Sequence, residues 1–235
     1  MLKPRRVLFK LSGEMLADSD ACGVAHARLA WLADEIASAR SEGAELALVL
    51  GAGNFVRGAS LAGEGIGRST ADHMGMLGTL INSLALADVL SAKGVPAKVL
   101  SAVPCATVAE PYGRGAAIAA LEQGKVAVLA GGTGNPYFTT DTAAALRAVE
   151  IGADVLAKGT KVGGVYDKDP ALHPDARVFA AVSYDQVLAQ RLAVMDATAV
   201  AMCRENALSV LVFGLAEQGV LARVARGETP GTLMS

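Results

Sequence analysis

Short apolar runs alternate with helix-period stripes along the whole chain. Val7–Leu11, Glu45–Leu50, Ala97–Ala102, Val126–Leu129, Asp154–Ala157 and Val210–Phe213 have the length and composition of buried strands. Between them lie amphipathic helical patterns, Leu29–Arg40 (closed by Gly43) and Thr70–Leu90. In the second, Met74, Leu77, Ile81 and Leu84 recur at helical spacing over about five turns. Shorter helices are expected at Arg114–Glu122, Thr142–Ile151, Tyr184–Ala189 and Asp196–Glu205. Strands alternating with helices imply right-handed crossovers and a mainly parallel sheet covered on both faces, an α/β three-layer αβα sandwich. The segment Gly163–Pro170 reads instead as a hairpin or turn. No repeat, low-complexity stretch or linker interrupts the pattern, so residues 1–235 are expected to form a single domain with two lobes sharing one sheet.

Composition sharpens this picture. Hydrophobic residues make up 52% of the 235 residues and aromatic ones 4%, so the core is aliphatic and rich in alanine. A net charge of −2 without a basic stripe argues against a nucleic-acid surface. Cys22, Cys105 and Cys203 lie far apart, which fits a reducing compartment better than a disulfide or zinc framework. No apolar stretch reaches ~18 residues, so no membrane span is expected, and the run Val7–Leu11 after Lys3, Arg5 and Arg6 is too short for a signal peptide; a cytoplasmic protein is expected.

Ligands of open α/β sheets bind beyond the carboxyl ends of the strands, and there the polar signals gather. The run Gly131–Thr140 has glycines that let backbone N–H groups approach an anion, followed by hydroxyls and a helix start at Asp141. Ser12-Gly13-Glu14 follows the first strand, Gly51-Ala52-Gly53-Asn54 the second, and Lys158-Gly159-Thr160-Lys161 a later one. Lys10, at the end of its strand, is placed to point an ammonium at phosphate oxygens, and Arg57 adds a guanidinium suited to bidentate phosphate contact. No Walker A motif or complete G-x-G-x-x-G fingerprint occurs. Asp72 has two readings, a carboxylate complementing a helix dipole or an acceptor for ribose hydroxyls. His73 beside it reads as structural. Tyr166 is suited to stacking on a base, whereas Asp169-Pro170 is equally compatible with a turn.

With Lys10-Leu11-Ser12-Gly13-Glu14, Gly53-Asn54 to Arg57-Gly58, Asp72-His73-Met74-Gly75-Met76-Leu77, Gly132-Thr133-Gly134-Asn135-Pro136 to Thr139-Thr140-Asp141 and Thr160-Lys161-Val162 all in order, the chain closely resembles the bacterial UMP-phosphorylating members of the amino-acid kinase family. The resemblance implies that family's carbamate kinase-like αβα fold and the reaction MgATP + UMP giving ADP + UDP, in pyrimidine nucleotide synthesis. It assigns Lys10, Leu11, Ser12, Gly13, Gly53 and Arg57 to ATP phosphates, and Thr160, Tyr166 and Asp169 to the nucleoside of ATP. Ala52, Asp72, Thr133, Gly134, Asn135, Pro136, Tyr137, Phe138, Thr139 and Thr140 fall to UMP. Residues 1–130 would carry mainly the UMP side and oligomer contacts, and residues 131–235 mainly the ATP side. Lys10, Arg57 and a second lysine, Lys161 in preference to Lys158, would hold the transferred phosphoryl, with Asp141 ordering the lysines. Mg²⁺ would arrive on ATP, with no metal ligand assigned to the protein.

Such enzymes are typically homohexamers with GTP and UTP as effectors, and the Thr70 helix is the expected dimer surface. Ala52 stands where the family usually has a third glycine, and Gly163 where it has an aspartate. Ala87 and Lys98 replace arginines used for GTP, and Gly63–Gly67 is expected to form a mobile loop. Two other readings compete: a family member phosphorylating a carboxylate, and a non-catalytic nucleotide sensor or anion-storage protein.

Overall fold

A computed structural model describes residues 3–18, 22–56, 65–192 and 194–235. Among them, nine strands form one sheet. They are β1 (Arg6–Leu11), β2 (Glu45–Leu50), β3 (Ala97–Ser101), β4 (Glu110–Pro111), β5 (Val126–Ala130), β6 (Val155–Thr160), β7 (Ala181–Val182), β8 (Ser209–Gly214) and β9 (Gly231–Met234). Their order is β4-β3-β5-β2-β1-β6-β8-β9-β7, with every neighbouring pair parallel except β8/β9.

Alternation along β1 explains the layering. Val7, Phe9 and Leu11 point to one face, against α1 (His26–Ser41), the middle and end of α2 (Arg68–Ala92) and α7 (Val220–Ala225). Leu8 points to the other face, against α3 (Arg114–Glu122), α4 (Thr140–Ile151), α5 (Tyr184–Gln190) and α6 (Ala197–Glu205). Both faces are dry, and burying each large aliphatic side chain contributes roughly 1.5–3 kcal/mol. The sheet is therefore held from both sides, and polar chemistry is left to its edges and strand ends.

The expected αβα architecture is the one observed, and four expectations change in detail. Strand β6 does not stop at Ala157; it runs on to Thr160 because it pairs with β1 up to Lys158 and with β8 up to Gly214. Lys and Gly are poor strand formers, so local propensity ends the strand early and tertiary pairing extends it. The short strands β4 and β7 exist only through their neighbours, and β9 turns the far end of the sheet antiparallel.

Helix α2 is long and apolar enough to cross a bilayer by length and composition. Here it lies against the sheet with Met76, Leu80, Leu86 and Leu90 buried, together with the polar Thr79, Asn82 and Ser83.

Candidate active site

Because β2, β1, β6 and β5 run in one direction, the turns after them share one rim. The first two turns touch. Gly51 donates its N–H to the Leu11 carbonyl at 2.8 Å, and a Cβ on Gly13 would collide with the Gly51 carbonyl. A Cβ on Gly53 would lie 2.8 Å from Glu14 Cγ, so these glycines allow two backbones to close on one another. Asn82, fully buried on α2, fixes the second turn by donating to the Gly51 carbonyl and the Asn54 side-chain oxygen, both at 2.8 Å.

Lys10 and Lys158 are directly opposite one another on β1 and β6 and point to the α4 face. Asp141, in the first turn of α4, meets both: Lys10 Nζ is 2.8 Å from Oδ1 and Lys158 Nζ 2.6 Å from Oδ2. The Thr139 hydroxyl oxygen caps α4 by accepting the N–H groups of Asp141 and Thr142. Asp196 holds this corner from the start of the neighbouring helix α6. It caps α6 through the Ala199 N–H at 3.1 Å and accepts hydroxyl hydrogen bonds from Thr139 and Thr142.

Burial alone would raise the Asp141 carboxyl, but the ammonium groups of Lys10 and Lys158 outweigh it and hold it below the usual carboxylate range. Desolvation pushes Lys158 down, Asp141 recovers only part of that, and Lys10 pushes it further down, leaving it below the 10.5 of an ordinary lysine. Two ammonium groups thus share the Asp141 carboxylate at the rim, a cationic pair suited to a phosphoryl group.

Two further surfaces gather polar groups near the strand ends. A cleft of about 900 Å³ is lined by Ser12, Gly53, Thr160 and Lys161, with Met15 and Leu215 supplying apolar wall. In the second, the loop after β5 meets the start of α2. Asp72 accepts the Tyr137 N–H at 2.8 Å and is gripped by Arg68 at 2.8 and 2.9 Å, while the Arg68 guanidinium stands 5.7 Å from the Tyr137 ring centre.

The amino acid kinase family profile matches residues 5–214. The chain belongs to the amino-acid kinase family. A uridylate kinase of Xanthomonas euvesicatoria pv. vesicatoria (strain 85-10) is 50% identical over 233 residues, 99% of this chain and 97% of that protein. The crystal structure of UMP kinase from Bacillus anthracis superposes with a TM-score of 0.95 at 38% identity, covering 99% of this chain and 96% of that one. The UMP kinase of Ureaplasma parvum gives a TM-score of 0.93 at 34% identity over the full length of both chains.

In this amino-acid kinase the expected site residues are not all placed alike. Lys10 and Asp141 meet as expected, but the second lysine in contact with them is Lys158. Lys161 is 79% exposed and pairs with Glu14 at 2.7 Å. The extension of β6 explains the exchange: as a strand residue opposite Lys10, Lys158 points to the same face, and Lys161 lies beyond the strand end.

Leu11 has its side chain in the core and its carbonyl taken by Gly51, so it presents no side chain to a ligand. Thr160 donates its hydroxyl to the Val162 carbonyl at 2.5 Å, and Asp169 accepts the Ala171 N–H at 2.9 Å as a turn residue. Tyr166 forms a lone antiparallel bridge to Val178. Arg57, Gly58 and the Gly63-Glu64 part of the expected loop lie outside the described residues. The sequence does not single out the loop-holding Asn82 or the cap Asp196, and it ranks Lys158 behind Lys161 as the partner of Asp141. The one available signal is the polar cluster Thr79, Asn82 and Ser83 inside a largely apolar helix.

Proposed function

We infer that this chain is a UMP kinase, transferring the γ-phosphoryl of MgATP to UMP and releasing ADP and UDP. The observation that carries the reading is the triad Lys10–Asp141–Lys158 at the mouth between two glycine turns. The uridylate and UMP kinases it is similar to supply the acceptor.

Phosphoryl transfer needs positioning and charge neutralisation more than a protein base. The phosphate oxygen of UMP is itself the nucleophile: its new bond to the γ-phosphorus forms as the bond to the bridging oxygen of ATP breaks. In this proposal Lys10 and Lys158 neutralise the equatorial oxygens in flight, and Asp141 keeps the two ammonium groups at fixed spacing. Backbone N–H groups of the Gly13 and Gly51–Gly53 turns, with Arg57, hold the donor phosphates. The cleft by Ser12, Gly53 and Thr160 takes ATP, with Tyr166 and Asp169 toward its nucleoside.

UMP lies across Ala52, Asp72 and Thr133–Thr140, the ribose hydroxyls competing with Arg68 for the Asp72 carboxylate. Mg²⁺ enters as part of MgATP. Among the described residues no group of three or more His, Cys, Asp or Glu side chains gathers where an ion would sit. In this proposal residues 1–235 form one domain whose two halves, 1–130 and 131–235, both contribute to the ATP side and to the UMP side.

The exposed stripe Met74, Leu77 and Ile81 on α2 supports assembly into a homo-oligomer, a hexamer by family likeness, with GTP and UTP as candidate effectors in the cytoplasm. The test is ADP release measured with UMP, CMP, dUMP, aspartate and N-acetylglutamate as acceptors, with the product separated by chromatography and GTP or UTP added in parallel. UDP from UMP is the expected product. Phosphorylation of a carboxylate, or nucleotide binding with no UDP formed, overturns the reading.

A further inference from the structure

Arg147 on α4 is 5% exposed, and a buried guanidinium is tolerated only where its donors are met. Its Nη1 donates to Glu150 Oε2 at 2.7 Å and its Nη2 to the Gly132 carbonyl at 3.2 Å, while the guanidinium carbon lies 3.8 Å from the Tyr112 ring centre. The Tyr112 hydroxyl donates to the same Glu150 oxygen at 2.5 Å, and Arg114 Nε donates to the Glu150 carbonyl at 2.6 Å. Burial and the Glu150 hydrogen bond push the Tyr112 phenol far up, so it stays protonated as a donor at any working pH. Tyr112 is itself tied to the end of β3 through its N–H to the Ser101 carbonyl at 2.8 Å. A rigid frame thus reaches from the sheet edge to one carbonyl.

That carbonyl belongs to a loop whose backbone is unusual. Gly131, Gly132 and Gly134 have φ of 79°, 60° and 82°, and Tyr137, a residue with a side chain to clash, has 73°. Glycines take such φ freely, and many others besides, so only outside ties fix their shape, whereas Tyr137 keeps its φ only where its surroundings over-determine it. Ties from α2 reach it on the opposite side: Thr79 accepts the Gly131 N–H at 2.9 Å and Asp72 accepts the Tyr137 N–H at 2.8 Å. Arg147 is the strut from beneath.

We propose that Arg147 is a positioning residue for the acceptor nucleotide, fixing the Gly132 carbonyl so that the Thr133–Thr140 backbone is aimed at UMP before UMP arrives. The proposal rests on the reading that this loop holds UMP. Because the donor cleft is built from other turns, loss of the strut weakens UMP and spares ATP.

The experiment is steady-state kinetics of Arg147→Met, Arg147→Lys and Tyr112→Phe, varying each substrate at saturation of the other, with thermal unfolding measured in parallel. Arg147→Met is expected to raise the KM for UMP about tenfold, the loss of one charge-assisted hydrogen bond, with kcat and the KM for ATP changed less than about twofold. Arg147→Lys keeps the charge but cannot stack on Tyr112 while spanning Glu150 and Gly132, so its KM for UMP falls between those of wild type and Arg147→Met.

Tyr112→Phe, which preserves the ring and the fold, is expected to raise the same KM about threefold, and it carries the test if Arg147→Met does not fold. A KM for UMP unchanged in the folded variants, or KM values for both substrates rising together, overturns the proposal. Wild-type protein that makes no UDP overturns the functional reading instead, so the two failures are distinguishable.

Discussion

Lys158 and Lys161 are three residues apart and differ in everything that matters to a phosphoryl group. Lys158 is 12% exposed and shares Asp141 with Lys10; Lys161 is 79% exposed and paired at the surface with Glu14, an arrangement screened by water and salt. Lys158→Ala is therefore expected to lower kcat by about 10²- to 10³-fold and Lys161→Ala by less than about threefold. Equal effects in the two variants would remove Lys158 from the centre. The pH profile gives the same residue a second test. Its ammonium form is the useful one, and the folded protein lets that proton go below 10.5, so activity is expected to fall as pH rises through this lowered value. Lys158→Arg keeps its charge across the range and should move the alkaline limb upward, provided that some activity survives the change of shape.

Helix α1 shows how an element is held by a residue that its own periodicity misplaces. Glu35 sits on the buried face beside Leu32, Ala33, Ile36 and Ala39 and is 3% exposed. Its carboxylate accepts the N–H of Gly219 at 2.6 Å and of Leu221 at 3.4 Å, satisfying the unpaired start of α7 and complementing its dipole. Glu35→Ala is expected to cost about 2 kcal/mol, lowering Tm by roughly 4–8 °C, with kcat/KM for UMP unchanged. Calorimetry and a kinetic assay on the same preparation check it; lost activity at unchanged Tm would mean the carboxylate serves the site instead. Helix α2 works similarly in the other direction. Its inward polar residues Thr79 and Asn82 hold the Gly131 and Gly51 turns, while Leu77 and Ile81 face outward at 47% and 50% exposure.

In the homo-oligomer proposed above, that outward stripe is the contact face. Apolar residues at positions 74, 77 and 81 form a contiguous face on a helix that already satisfies its inward contacts, and such faces mark association surfaces. Replacing Leu77 and Ile81 together with glutamate is expected to reduce the assembly to smaller species, read as a fall in mass by light scattering. An unchanged mass would place the oligomer contacts elsewhere. The same helix holds the Gly51 and Gly131 turns, so any loss of activity in the dissociated protein is to be compared with that of Asn82→Leu, which disturbs a turn without touching the outward face.

The αβα class, most element positions and the glycine turns were legible in the sequence, because burial on both faces of a strand and on one side of a helix leaves a local, periodic trace. The pairing of Lys10 with Lys158 left none: it arises from β1 lying beside β6, two segments about 150 residues apart, and from a strand extended through Lys158-Gly159-Thr160 by its neighbours rather than by propensity. Glu35 beneath α7, Asp196 beside Thr139 and Arg147 beneath Gly132 are likewise long-range hydrogen bonds made by polar residues whose local context reads as ordinary helix. Local patterning records which surfaces are dry. Which charges end up sharing one carboxylate depends on strand order, and strand order is settled only when the whole sheet closes.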